Sequence, residues 1–271
     1  MPRSLKTRLS DGEAVFGSFA FLPSPDIVEI MGFAGFDYVI IDLEHSPKDW
    51  SDVVHMVRAA QLHTMAVLIR VRENTEKAIL EALELGADGI VLPFVQTAED
   101  VRRAARAANY APRGTRGTCT LTRVARYGGL RSAFIEHTQR QNDKVVLVAQ
   151  IEDKKGVENI AEILSCDPGV DVVMIGRSDL ASSLDRPGQV EDPRVIEATK
   201  SVIDACRNHG PKPIPSGIGV YAPDEAPKWI DVGCRFFFYS ADTAMMLHAA
   251  SSAAQSFKAA MAGHSVKAAA E

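Results

Sequence analysis

Val145-Val146-Leu147-Val148-Ala149-Gln150-Ile151-Glu152 is a near-continuous apolar run that closes on an acid. Such a run is the pattern of a parallel strand covered on both faces, and its charge falls where the strand would surface. A helical segment, Gly156 to Leu164, separates it from a second short run, Val170 to Ile175, which leads into the turn Gly176-Arg177-Ser178-Asp179. If the two strands are neighbours, about 4.8 Å apart, Glu152 and Asp179 can share one hard divalent cation, which prefers oxygen ligands.

The same alternation extends in both directions. Strands are expected at Val15 to Phe21, Tyr38 to His45, Ala66 to Val71 and Gly89 to Phe94 before the central run, and at Ile214 to Val220 and Arg235 to Tyr239 after it. Helices are expected at Asp26 to Gly32, Trp50 to Leu62, Thr75 to Leu85, Glu99 to Ala108, Ser132 to Gln141, Val195 to Asn208 and Asp224 to Val232, with an Ala-rich helical tail from Ala241. Strands alternating with helices imply right-handed βαβ units and a parallel sheet. Eight such repeats in roughly 250 residues favour a closed (β/α)8 barrel over an open sheet. No repeat or boundary divides the chain, so residues 1–271 are expected to form one domain. Tyr110 to Gly129, rich in Gly, Arg and Thr, is a long loop of the kind that is usually functional or mobile.

Composition excludes several classes. The chain has 271 residues, 46% hydrophobic and 24% charged, enough for a sizeable core. A net charge of −5 argues against a nucleic-acid partner, and the arginines between Arg102 and Arg131 are not interleaved with stacking aromatics. Cys119, Cys166, Cys206 and Cys234 are too scattered for a zinc or redox pair, which suits reduced thiols in the cytoplasm. The amino terminus lacks an apolar signal core and nothing reads as a membrane span of about 18 apolar residues.

A barrel places function at the carboxyl ends of its strands, and there this sequence keeps its charges: Asp42, Glu44 and His45, then Arg70, then Gln150 and Glu152, then Asp179. Alternation sets Asp42 and Glu44 on one face, and Gln150 and Glu152 together on theirs. A metal, a base and a fixed cation converging in one basin suit proton abstraction next to a carbonyl, with Arg70 and the metal taking up enolate charge and His45 moving the proton. No lysine stands at a comparable strand end, which makes a Schiff-base route the weaker choice. Gly217-Ile218-Gly219-Val220-Tyr221-Ala222 imitates a dinucleotide fingerprint, but too little chain follows it, and its glycines are expected to relieve close backbone approach.

Gly35 to His45, Arg70, Pro93-Phe94-Val95, Tyr110 to Gly117, Gln150-Ile151-Glu152 and Gly176 to Leu180 together resemble the HpcH/HpaI family of metal-dependent class II 2-oxo acid aldolases, in order from about Gly17 to Met246. The resemblance implies a barrel of the phosphoenolpyruvate/pyruvate superfamily that exchanges its last helix between subunits in a homo-oligomer, a trimer or hexamer. It also implies cleavage of a 4-hydroxy-2-oxo acid to pyruvate, or a related 2-oxo acid, and an aldehyde. Carried over, Glu152 and Asp179 would hold Mg2+, Mn2+ or Co2+, Arg70 would face the keto oxygen, and Gln150 would help set the metal's outer shell. His45, oriented by Asp42, would relay the proton through water. Backbone amides around Gly176, Ser178 and Asp179 would receive the substrate carboxylate, and Glu84 matches a position where members contribute an acid, usually Asp, from a neighbouring subunit.

Three departures bear on specificity. Arg177 stands where members commonly have Pro, and would either favour an acidic substrate or form a surface ion pair. Cys119 to Arg123 replaces a Ser/Ala-rich loop, and Phe237-Phe238-Tyr239-Ser240 is bulkier than the usual Val-Gly ending. Two other readings stay open here. One is an oxaloacetate-type decarboxylase or acyl-CoA lyase using the same enolate, the latter needing the Arg113 to Arg131 loop as a nucleotide entrance. The other is a barrel that only binds a small acid.

Overall fold

The computed structural model describes residues 3–268 and closes eight parallel strands into a barrel in sequence order, with β8 pairing back onto β1. The elements are α1 (Leu5–Ser10), β1 (Val15–Ala20), α2 (Pro25–Phe33), β2 (Tyr38–Asp42), α3 (Trp50–Gln61), β3 (Ala66–Arg70), α4 (Glu76–Glu84), β4 (Gly89–Leu92), α5 (Ala98–Ala108) and α6 (Phe134–Lys144). There follow β5 (Val146–Ile151), α7 (Lys154–Glu158), α8 (Ile160–Leu164), β6 (Val172–Ile175), α9 (Arg177–Ser183), α10 (Pro193–Arg207), β7 (Ser216–Val220), α11 (Ala226–Val232), β8 (Cys234–Ala241) and α12 (Asp242–Ala268). The expected (β/α)8 barrel is the fold.

Strand alternation sorts the core into two layers. Tyr38, Ile40, Leu68, Val91, Val146, Val148, Val172, Met174 and Phe236 fill the barrel interior. Their chain neighbours Val39, Ile41, Ile69, Ile90, Leu147, Ala149 and Val173 pack against the helices. Tyr38 stacks on Phe236 with ring centroids 4.3 Å apart, and its hydroxyl donates to Phe237 O at 2.5 Å. A Cβ at Gly217 would stand 2.4 Å from Phe236 O, and one at Gly219 would stand 2.5 Å from the Phe238 ring. Those glycines therefore serve close packing and not a nucleotide loop.

Two helices depart from the sequence reading. The basic lead-in is a short helix, α1, capped by the Ser4 hydroxyl, with Leu5 and Leu9 buried against the interior cluster. The run after Gly176 is not a turn and loop but the helix α9, which buries Leu180 and Ala181 and carries Asp179 in its first turn, where a carboxylate suits the helix amino terminus. On the carboxyl face, capping boxes at Asp49/Asp52 and Thr97/Asp100 fix the starts of α3 and α5. Along α12, Met246, Leu247 and Phe257 are exposed. No helix among the described residues is long and apolar enough to cross a membrane.

Candidate active site

The alternation that fills the barrel also builds the site. Asp42 continues the inward series Tyr38, Ile40; Arg70 follows Leu68; Gln150 and Glu152 follow Val146 and Val148. Asp42, Arg70 and Gln150 are thus the last inward positions of their strands, and Glu152 continues the series just past the end of β5, where the interior opens at the carboxyl face. Asp42, Arg70, Gln150 and Glu152 are all at most 5% exposed. Buried polar groups of this kind need partners.

Arg70 has them on two sides. Its Nε donates to Asp42 Oδ1 at 2.6 Å, its Nη1 lies 3.1 Å from Glu44 Oε2, and its guanidinium carbon sits 4.6 Å from the centre of the Phe19 ring. Nη2 has no hydrogen-bond or ion-pair partner among the described residues. Burial pushes the Glu44 carboxyl above its ordinary value, against the pull of Arg70. Of its two acidic neighbours, Asp42 holds the guanidinium more closely than Glu44.

Glu152 is the unusual acid. It is 1% exposed, and its partners are neutral: the Phe94 N–H donates to Oε1 at 2.8 Å and the Gln150 amide donates to Oε2. No Lys, Arg or His among the described residues pairs with it. Burial pushes its pKa up to about 7, those two hydrogen bonds oppose the shift, and the nearby charges of Asp179 and Glu44 add to it. β5 and β6 are hydrogen-bonded neighbours with Ile151 opposite Ile175, which sets Glu152 beside Gly176. A Cβ at Gly176 would come within 2.7 Å of Glu152 Oε2 and 3.2 Å of Gln150 Nε2, so only glycine leaves room for both. Phe94, half exposed, reaches its hydrogen bond from a left-handed backbone, φ 49°, a costly conformation for an aromatic residue.

Other expected residues fall in different places. Asp42 does not touch the His45 ring: its oxygens take Arg70 Nε and the backbone N–H groups of Glu44 and His45. The exposed His45 ring instead has Glu44 Oε2 3.7 Å from its Nε2. Ser178 is exposed and Asp179 half-buried in the first turn of α9, while the Gly176 N–H, expected to face substrate, donates to Ile151 O at 3.0 Å. Glu84 closes α4, which runs antiparallel to the strands, so within one chain it lies at the barrel's amino-terminal end. There its charge reaches Arg116 and Tyr110. The loop before α6 is pinned over the same end, with Val124 N donating to Glu84 O at 3.1 Å and Arg123 to Leu85 O at 2.7 Å. Arg177 is neither in the basin nor on the surface; it is buried against β7 and α11.

Two contributors escaped the sequence reading. Phe19, the inward residue of β1 beneath Arg70, was legible from the alternation used for the other strands. Lys48 was not: it lies in the loop after β2, is 2% exposed, and donates to Ala20 O at 3.1 Å, Phe21 O at 2.8 Å and Ser46 Oγ at 2.5 Å. Burial lowers its pKa, but three acceptors occupy its three protons, so it is a clasp between two loops and not a nucleophile.

A buried acid, a held arginine and a polar rim thus meet at the carboxyl end of a (β/α)8 barrel, the face where such barrels carry their chemistry. The family model HpcH/HpaI aldolase/citrate lyase matches residues 16–222, and the chain belongs to that family of carbon–carbon lyases. It is 32% identical over 234 residues to the 2-dehydro-3,6-dideoxy-6-sulfogluconate aldolase of Pseudomonas putida, covering 86% of this chain and 89% of the relative. It is 30% identical over 257 residues to the 5-keto-4-deoxy-D-glucarate aldolase of Klebsiella pneumoniae subsp. pneumoniae, covering 95% and 97%. Among solved structures, a HpcH/HpaI aldolase/citrate lyase family protein from Burkholderia cenocepacia J2315 superposes with a TM-score of 0.87 at 30% identity, covering 94% of this chain and 98% of that one.

Proposed function

We propose that the chain is a divalent-metal-dependent aldolase that cleaves a 4-hydroxy-2-oxo acid to pyruvate, or a related 2-oxo acid, and an aldehyde. The observation that carries this reading is Glu152: an acid sunk into the barrel mouth, hydrogen-bonded only to neutral donors, with the charge of Asp179 nearby in the first turn of α9, the helix that follows the adjoining strand. Among the described residues no group of three or more His, Cys, Asp and Glu is arranged to hold a metal. Two carboxylates fit a hard cation that takes the rest of its ligands from substrate and water. Glu152 and Asp179 would hold Mg2+, Mn2+ or Co2+, and Gln150, whose Oε1 is buried without a hydrogen-bond partner, would border the site.

Bound there, the metal supplies Lewis-acid charge beside the 2-oxo group. The chain does the rest. Arg70, gripped by Asp42 and Glu44, turns its remaining donors to the keto oxygen, whose charge grows as the C3–C4 bond breaks. The substrate carboxylate would lie against the opening amides of α9 at Ser178 and Asp179, with Gly176 supplying space. His45, with Glu44 as its neighbour, would move the proton from the C4 hydroxyl through water and return one to C3. Glu84 would serve the site of an adjoining subunit in a trimer or hexamer. Exposed Met246, Leu247 and Phe257 on α12, with the apolar groove of Phe16, Phe36, Val220, Ile230, Phe237 and Tyr239 on the barrel wall, support exchange of that helix between copies. The assembly would work in the cytoplasm as one domain per chain, on small molecules.

The test is pyruvate release from a panel of 4-hydroxy-2-oxo acids that includes the substrates named for the two relatives, with and without EDTA. Release that EDTA abolishes and added Mn2+ restores is expected. EDTA-insensitive release would remove the metal from the reading.

A further inference from the structure

Arg177 is buried although it stands beside two polar residues on the barrel rim. Its side chain is 3% exposed. Nη1 donates to Glu191 Oε1 at 2.9 Å in the segment before α10, and Nη2 donates to Gly219 O at 2.9 Å in β7. Glu225 Oε2 lies 3.9 Å away, and the guanidinium carbon sits 5.5 Å from the centre of the Trp229 ring and 5.8 Å from that of Tyr221. Glu191 lies in the loop between α9 and α10, and the other partners lie in β7, in α11 or between them. The side chain therefore leaves the barrel axis and cannot be the cation that receives an acidic substrate. A buried arginine with hydrogen bonds to a carboxylate and a carbonyl is a rigid fork, and removing it takes the side-chain donor from Gly219 O while the exposed Glu191 turns to water.

The fork's backbone is the first residue of α9, between Gly176, which packs on Glu152, and Asp179. We infer that Arg177 is a positioning residue that ties the first turn of α9 to β7 and thereby fixes Asp179 against Glu152. The inference rests on the assignment of those two acids as metal ligands. The turn is short and exposed on the Ser178 side, so without the fork Asp179 must be ordered by the metal itself, and affinity falls by that ordering cost.

The test uses metal-stripped full-length protein, Mn2+ as the probe, and calorimetry. Arg177→Met should raise the Mn2+ Kd about tenfold, the equivalent of about 1.4 kcal/mol. Arg177→Lys should recover only part of that, because one ammonium cannot serve Glu191 and Gly219 O as the fork does. Amide exchange over residues 180–184 should quicken in the metal-free Met variant, and its lost turnover at low Mn2+ should return as Mn2+ is raised. If Arg177→Met does not fold, Glu191→Gln, at an exposed partner, carries the test with an expected rise of about threefold, some 0.6 kcal/mol. An unchanged Mn2+ Kd with only a lower Tm overturns the inference, as does a raised substrate KM at unchanged Mn2+ Kd. Wild-type protein that binds no Mn2+, or binding that survives Glu152→Ala, sinks the ligand assignment itself, a result distinguishable because it needs no Arg177 variant.

Discussion

Glu152→Gln should stabilise the metal-free protein at alkaline pH while destroying its function. Burial raises the Glu152 carboxyl from 4.5 to about 7. Between those values the folded chain keeps a proton that the unfolded chain has released, so this group's contribution to stability falls as pH rises from 4.5 to 7 and is fully unfavourable above 7. At 1.36 kcal/mol per unit the penalty is about 3 kcal/mol at pH 8. An amide carries no charge to desolvate. It can still accept from the Phe94 N–H, and its new donor finds the unpartnered Gln150 Oε1 once that amide turns over. In EDTA at pH 8 the variant should melt about 5–10 °C above wild type, and the gap should close towards pH 4.5. Saturating Mn2+ should reverse the order at pH 8, because only the intact site gains binding free energy. Thermal melts of both proteins across this pH range check the scheme. A variant no more stable than wild type at pH 8 in EDTA would refute the idea that Glu152 is an acid held against its desolvation cost.

Other outcomes follow from the same geometry. Gly176→Ala drives a methyl into Glu152 and Gln150, and should cost at least about tenfold in Mn2+ affinity along with roughly 1–3 kcal/mol of stability, measured by calorimetry and urea unfolding. His45→Ala should slow exchange of pyruvate methyl protons into deuterated water by about 100-fold or more; undiminished exchange would remove His45 from proton transfer. Because Lys48 Nζ already serves three acceptors, borohydride with pyruvate should leave the protein's mass unchanged; an adduct on Lys48 would revive Schiff-base chemistry.

The barrel was legible because its strands are buried on both faces and read as apolar runs ending in charge, a pattern that local composition alone carries. Glu152, Asp42 and Arg70 were legible for the same reason, each being the next inward residue of its strand. What stayed hidden depends on contacts distant in sequence. Lys48 looks like any loop lysine until β1 and β2 bring two carbonyls to it. The destination of Arg177 is decided by Gly219 and Trp229, some forty to fifty residues on. The expectation that Asp42 orients the His45 ring failed because Arg70, the next strand's inward residue, reaches that carboxylate first. α1 and α9 were missed because both are short and polar, and tertiary burial of two apolar residues in each settles them.

Anomalous diffraction from crystals grown with Mn2+ and pyruvate addresses the central claim most directly. One strong peak at the barrel mouth within coordination distance of carboxylate oxygens from both Glu152 and Asp179 is the expected result. A peak bound by only one of them, or a mouth without density while Mn2+ sits elsewhere, would contradict the account.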